Sequence, residues 1–88
     1  MGVSAGVSHV YIADLLAPYA LNNLDDVDPM YIGKVTTDGR WLVQRFGKIT
    51  GVMTYANVSN NPSTATYAAA WSGRVGLTYG TFESLTGV

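Results

Sequence analysis

The sequence predicts a mostly β fold: a small antiparallel sheet of about four strands, with one short helical turn and an extended or partly helical N-terminal arm. Three observations carry this reading. Two runs rich in β-favouring residues, Met30–Val35 and Arg40–Phe46, flank an Asp38-Gly39 pair, and glycine supplies the positive φ that a tight hairpin turn demands. Two later runs, Lys48–Val58 and Arg74–Phe82, alternate apolar with small or polar residues as half-buried strands do. Between them Thr66–Trp71 has the alanine content of a helical turn, which Ser72-Gly73 closes.

In chain order, Met1–Ser8 is small and polar, an extended lead. Val10–Leu24 is denser in apolar groups. Ile12, Leu15, Leu16 and Tyr19 have helical spacing, but Pro18 interrupts a long helix, so a turn or two of helix or an extended arm fits better. Asp25, Asp26 and Asp28 precede Pro29. They lack the alternating ligands, central glycine and distal glutamate of a calcium loop, and a solvated acidic linker explains them. The chain therefore divides into an N-terminal arm, residues 1–28, and a small β domain, residues 29–88. In the third strand Ile49, Met53 and Tyr55 share one face, with Gly51 marking a bulge or a close backbone approach. Ser59–Thr64 is a loop by composition. In the fourth strand Val75, Leu77 and Tyr79 share a face, while Gly76 and Gly80 point to an edge or a tight contact. The expected core is Tyr31, Trp41, Phe46, Tyr55, Trp71, Leu77 and Tyr79.

Composition narrows the function. A chain of 88 residues leaves a small domain a thin stability margin. Disulfides are excluded by the absence of Cys, and a closed zinc site is disfavoured with His9 as the one histidine, which leaves oligomerisation or docking on a larger body. Hydrophobic residues make up 48% of the chain and charged residues 12%, about half the usual charged share. A compact domain with a neutral Thr/Ser/Asn surface would account for this. Six Tyr and two Trp in so short a chain favour interfaces, and hence a homo-oligomer or a bound subunit. Five basic residues scattered through a chain of net charge −1 do not make a phosphate-tracking surface, so nucleic acid is not the expected partner. No apolar run reaches the roughly 20 residues that span a bilayer, and the start lacks the basic residues of a signal peptide, so no membrane partner is expected.

No reaction centre stands out. His9, Asp14 and Ser4 or Ser8 make a triad only on paper, without a strand-turn-helix elbow. Asp38 and Glu83 could be an acid–base pair, but Asp38 is explained by its turn. The glycines sit singly along strands and form no phosphate loop. Asn57-Val58-Ser59 is a glycosylation sequon by pattern alone. Tyr31, Trp41, Tyr55, Trp71 and Tyr79 could line a carbohydrate platform; filling the core of a sheet short of large aliphatics is the plainer role. No catalytic residue, metal, cofactor or small-molecule substrate is expected.

Four segments in order carry a resemblance: Tyr31-Ile32-Gly33-Lys34, Trp41–Phe46, Met53–Asn57 and Trp71–Tyr79. Together they resemble short virion-associated structural proteins of tailed bacteriophages. That group has a Tyr-Ile-Gly start, a tryptophan-led strand and a Trp-x-x-Arg-x-x-Leu-Thr/Ser-Tyr ending. The resemblance covers roughly Tyr31 to Tyr79. It departs where the group has a Gly-Asn pair with Phe soon after, since Asn57 is here followed by Val58 and an Asn-Asn-Pro loop. It implies a non-enzymatic virion component, synthesised in the host bacterial cytoplasm, with phage capsid or tail proteins as partners. A capsid decoration or cement subunit docking on the major capsid protein is the first placement. A tail, neck or fibre-attachment component is the alternative, although the chain has no collagen-like or heptad repeat. From another class, the rival is a carbohydrate-binding module for host surface glycans. The expected attachment contacts are Tyr11, Leu15, Tyr19 and Leu21 in the arm, with Arg74 pinning the last strand or pairing with an acidic partner group.

Overall fold

The computed structural model describes residues 16–88. Four strands, β1 (Ala20–Asp25), β2 (Met30–Val35), β3 (Trp41–Phe46) and β4 (Met53–Ala56), form one antiparallel sheet in the order β1-β2-β3-β4. Helix α1 (Tyr67–Ser72) follows, then two 3-10 turns, Arg74–Gly76 and Phe82–Ser84. The predicted class is correct: the described residues form a small four-stranded antiparallel sheet with the short helix α1.

The central hairpin forms as the sequence indicates. β2 and β3 pair from Met30↔Phe46 to Val35↔Trp41. Thr37, Asp38 and Gly39 make the turn. The Gly39 N–H bonds Thr36 O at 3.1 Å, and the Thr36 N–H bonds Arg40 O at 2.9 Å. Gly39 takes φ +92°, the left-handed conformation that closes a three-residue hairpin loop. The Asp38 carboxylate accepts from the Thr36 hydroxyl and from Arg40 Nε, and these bonds, the first above all, hold it below its ordinary pKa. Helix α1 is also as expected: Thr66 caps it, its hydroxyl accepting from Ala69 N at 3.2 Å, and Gly73 ends it.

The strand inventory differs at both ends of the sheet. Ala20–Asp25, read as part of the arm, is a strand. It pairs with β2 from Ala20↔Val35 to Asp25↔Tyr31, with a bulge between Leu21 and Asn23. Two asparagines and the irregular register hide its alternation. The acidic linker is thus the β1–β2 loop. The run Lys48–Val58 contracts to β4 because Gly47–Val52 is a turn, with Gly51 N–H to Gly47 O at 2.7 Å and Gly51 at φ +74°. Gly51 serves that conformation and approaches nothing closely. Ile49, expected to share a strand face with Met53 and Tyr55, lies in that turn and is 89% exposed.

Arg74–Phe82 is not a strand. It begins as a 3-10 turn and touches the sheet at one bridge, Tyr55↔Gly80. The reason is a competing partner. Asn61 accepts from the Thr78 N–H at 2.8 Å and donates to Thr78 O at 3.0 Å, occupying both backbone groups that a ladder would use there.

Strand alternation puts two different layers on the sheet. On the helix face lie Tyr31, Trp41, Val43 and Ala56 with Ala70 of α1, flanked by Tyr67, Trp71, Leu77 and Tyr79. On the opposite, tail face Leu42 packs with Tyr19, Phe82 and Leu85, flanked by Leu16, Tyr55 and Val88. Trp41, Leu42, Val43 and Gln44 are therefore all buried, since β3 is covered on both sides.

Candidate functional site

On the helix face, the expected core residues assemble around Trp71. Tyr31 and Trp41 are buried; Trp71, Leu77 and Tyr79 are half-buried and pack against them. Gly33 lies directly under α1. A Cβ there would come within 2.1 Å of the Tyr67 hydroxyl and 2.8 Å of the Trp71 ring, so the glycine of the Tyr-Ile-Gly segment lets the helix sit on β2. Three polar tips are engaged: Trp41 Nε1 donates to Thr64 O at 3.1 Å, Tyr67 to Asn23 at 2.7 Å and Tyr79 to Arg74 O at 2.6 Å. Burial pushes the Tyr79 phenol far above its ordinary pKa, with neighbouring Tyr31 adding to the rise.

Arg74 closes this layer and is not a free attachment contact. Its guanidinium lies 4.4 Å over Trp71, bonds Trp71 O at 2.9 Å and pairs with Asp25 at 2.9 Å. It pins the turn after α1 to the end of β1, in place of the expected last strand. Arg45 lies 4.4 Å over the Tyr79 ring. Stacking with Tyr67 and coverage by Arg74 leave Trp71 in the interior layer, with no open aromatic platform for a sugar among the described residues.

Of the expected attachment residues, Tyr11 and Leu15 lie outside the described residues, as do His9, Asp14, Ser4 and Ser8. Tyr19 points inward. It is 8% exposed in the tail-face core, where burial raises its pKa, so it is a core residue. Leu21 is 62% exposed, on edge strand β1. Tyr55 is half-buried on the tail face, edge-on to Phe82 at 5.2 Å. Phe46, expected in the core, is half-buried at the far end of that face, between Met30 and Met53 in the register.

The sequence reading missed two features. Asn57, Asn60 and Asn61 form a buried relay rather than a bare loop. Asn61 donates to Asn57 O at 3.2 Å, Asn57 bonds Thr86 O at 2.8 Å, and Ser59 bonds Asn57 Oδ1 at 2.5 Å. Asn57, 2% exposed with both amide ends occupied, is closed to glycosylation in the folded state.

The second feature is an apolar end of the sheet. The β1–β2 and β3–β4 loops are clasped by Lys48, whose ammonium meets Asp26 at 2.5 Å and whose N–H bonds Asp28 at 3.0 Å. That clasp presents Val27, Ile49 and Val52 to solvent, all more than half exposed. Leu21 and Leu24 extend the exposed apolar surface along edge strand β1. Assigning Ile49 to a strand concealed this end.

Among the described residues no group of three or more His, Cys, Asp or Glu could hold a metal ion. Asp25 and Asp26 are each tied to a cation, and Asp28 caps the Lys48 N–H. A cleft of about 180 Å³ between the hairpin turn and Asn57-Val58 is smaller than a drug-sized ligand requires. No described helix is long and apolar enough to cross a membrane.

These features define a small β-meander protein with Leu21, Leu24, Val27, Ile49 and Val52 exposed along one end and one edge of its sheet, while exposed Val58 and Val75 lie in the loops on either side of α1. Compared with family models, curated proteins and solved structures, the chain finds no match.

Proposed function

We propose that the chain is a non-enzymatic structural subunit of a tailed-bacteriophage particle, a decoration or cement protein that docks on the capsid. The observation that carries this reading is the apolar loop end, Val27, Ile49 and Val52, held in shape by the Lys48 clasp. Exposed large aliphatics on a built loop pair are what a docking protein presents to a partner. At that end the Lys48–Asp26 pair is satisfied within the chain, as is Arg74–Asp25 beside it, so apolar contact and shape dominate there. The phage assignment itself comes from the four ordered segments between Tyr31 and Tyr79.

The test is the protein composition of purified particles from a phage that encodes the chain. Gold labelling of an epitope-tagged copy locates it on the particle. Stoichiometric incorporation on the head is the expected result, and Ile49→Asp together with Val52→Asp should abolish it while leaving the fold intact. Labelling at the tail would move the subunit to the neck or tail. Absence from washed particles would sink the virion reading.

A further inference from the structure

The two edges of the sheet are finished differently. At β4, Tyr55 exchanges two backbone bonds with Gly80, at 2.8 and 2.9 Å, and Asn60 donates to Tyr55 O at 3.2 Å, so later residues of the chain close that edge at Tyr55. At β1, among the described residues, the ladder to β2 is the only one. Ala20, Leu21, Asn22 and Leu24 are exposed there, and the strand contains no Lys or Pro to blunt its edge. Its ladder does contain a bulge. Leu21 pairs with Lys34 and Asn23 with Gly33, which leaves Asn22 as the extra residue. The bulge has a specific effect. Leu21 lies opposite Lys34 and Leu24 opposite Ile32, and those two share a face of β2, so leucines three apart come onto one face of β1. Within one chain most of both side chains stays in water, Leu21 at 62% and Leu24 at 56% exposure. A ladder position is given up to aim two leucines along an open edge.

We propose that β1 pairs antiparallel with β1 of a second copy about a two-fold axis, joining two four-stranded sheets into one. The proposal is independent of the phage reading. The strand's own sequence selects a second copy as its partner. With the axis at the centre of the strand, Ala20 lies opposite Asp25, Leu21 opposite Leu24 and Asn22 opposite Asn23, so leucine meets leucine and amide meets amide. The leucines of both copies then form one row on the tail face, flanked by Ile32 on each side. Charge selects the same arrangement. The Asp25 end of β1 runs on into Asp26 and Asp28. The Ala20 end lies beside Lys34, opposite Leu21, and Arg40, whose guanidinium stands 5.7 Å over the Tyr19 ring. Antiparallel pairing sets the acidic end of each copy against the basic end of the other, whereas parallel pairing sets like against like. Closure of the β4 edge at Tyr55 opposes growth beyond two copies. The two-fold axis also sends the loop ends with Val27, Ile49 and Val52 to opposite ends of the joined sheet, so one dimer carries two of them.

Sedimentation equilibrium of the full-length chain tests the association. A dimer is expected, and Leu24→Lys, which charges the edge without entering the core, should weaken it at least about tenfold with the far-ultraviolet circular dichroism unchanged. A monomer at every concentration would overturn the proposal and leave the edge to a strand of another protein. A dimer that Leu24→Lys does not weaken would overturn it too. The register is tested by disulfide formation, which the absence of natural Cys keeps clean. Isotopically labelled Leu21→Cys is mixed with an equal amount of unlabelled Leu24→Cys, oxidised, and its products read by mass. The mixed disulfide should exceed either self-joined product at least about tenfold, because these two positions face each other across the axis. A statistical mixture would sink the pairing. An excess of the self-joined products would make the strands parallel and sink it as well.

Discussion

The two faces of the sheet reach burial by different routes. The helix face is closed by aromatic side chains, of which Trp41, Tyr67 and Tyr79 hydrogen-bond within the layer, under a helix capped at both ends. The tail face is closed by Phe82 and Leu85 from irregular chain around a 3-10 turn, and Tyr19 Oη and Gln44 Oε1 are buried there without a hydrogen-bond partner among the described residues. One face carries specific geometry and the other carries adaptable apolar cover. Interaction surfaces belong on the second kind, where side chains can be re-covered without dismantling a hydrogen-bonded layer.

Truncation on each face breaks or sharpens that contrast. Trp41→Ala removes the buried ring of the helix face and its bond to Thr64, and is expected to cost about 3–5 kcal/mol in urea unfolding. Leu85→Ala on the tail face is expected to cost less, about 2 kcal/mol, because irregular chain can settle into the gap. Equal losses would mean that both faces are equally rigid. Gly33→Ala comes next. The added methyl drives into Tyr67 and Trp71, and a destabilisation of about 1–3 kcal/mol is expected, with loss of the near-ultraviolet tryptophan signal.

The smallest effect concerns Tyr79. Its phenol has a folded pKa raised above 10.0, so the fold favours the neutral form. That contribution is fully present below pH 10 and is lost as pH rises through the higher folded value. Unfolding in alkali should therefore coincide with phenolate absorbance. Tyr79→Phe should cost about 1 kcal/mol at neutral pH through the lost bond to Arg74 O, and should weaken the alkaline loss. An alkaline transition unchanged by the substitution would assign it to Tyr19, Tyr55 and Tyr67, whose pKa values burial also raises.

The same contrast explains what could be read from the sequence. The hairpin through Asp38-Gly39 and helix α1 after Thr66 are set by residues adjacent in the chain, and local turn chemistry announced both. Strand β1 and the fate of Arg74–Phe82 depend on distant partners. Nothing near Thr78 reveals that Asn61 will take its backbone groups, and nothing near Ala20 and Leu21 reveals that Val35 and Lys34 will pair with them. Gly33 was visible as a residue, but its purpose lies under a helix that begins 34 positions later, at Tyr67. The apolar loop end was obscured for a related reason. Val52, Thr54 and Ala56 alternate as a strand would, and only the geometry of Gly47–Val52 turns Ile49 outward.

The strand order β1-β2-β3-β4 has a kinetic consequence. Every ladder joins neighbours along the chain through a short turn, so the sheet can zip up from the Asp38-Gly39 hairpin outward with little loop-closure entropy at any step. The demanding closure is the bond from Arg74 to Asp25 across 49 positions, which ties the turn after α1 back to the first strand. A chain emerging in sequence order can complete its meander before that strap arrives. The contact that locks the helix face therefore carries the largest loop-closure cost among the side-chain bonds described, and can form on strands already in register.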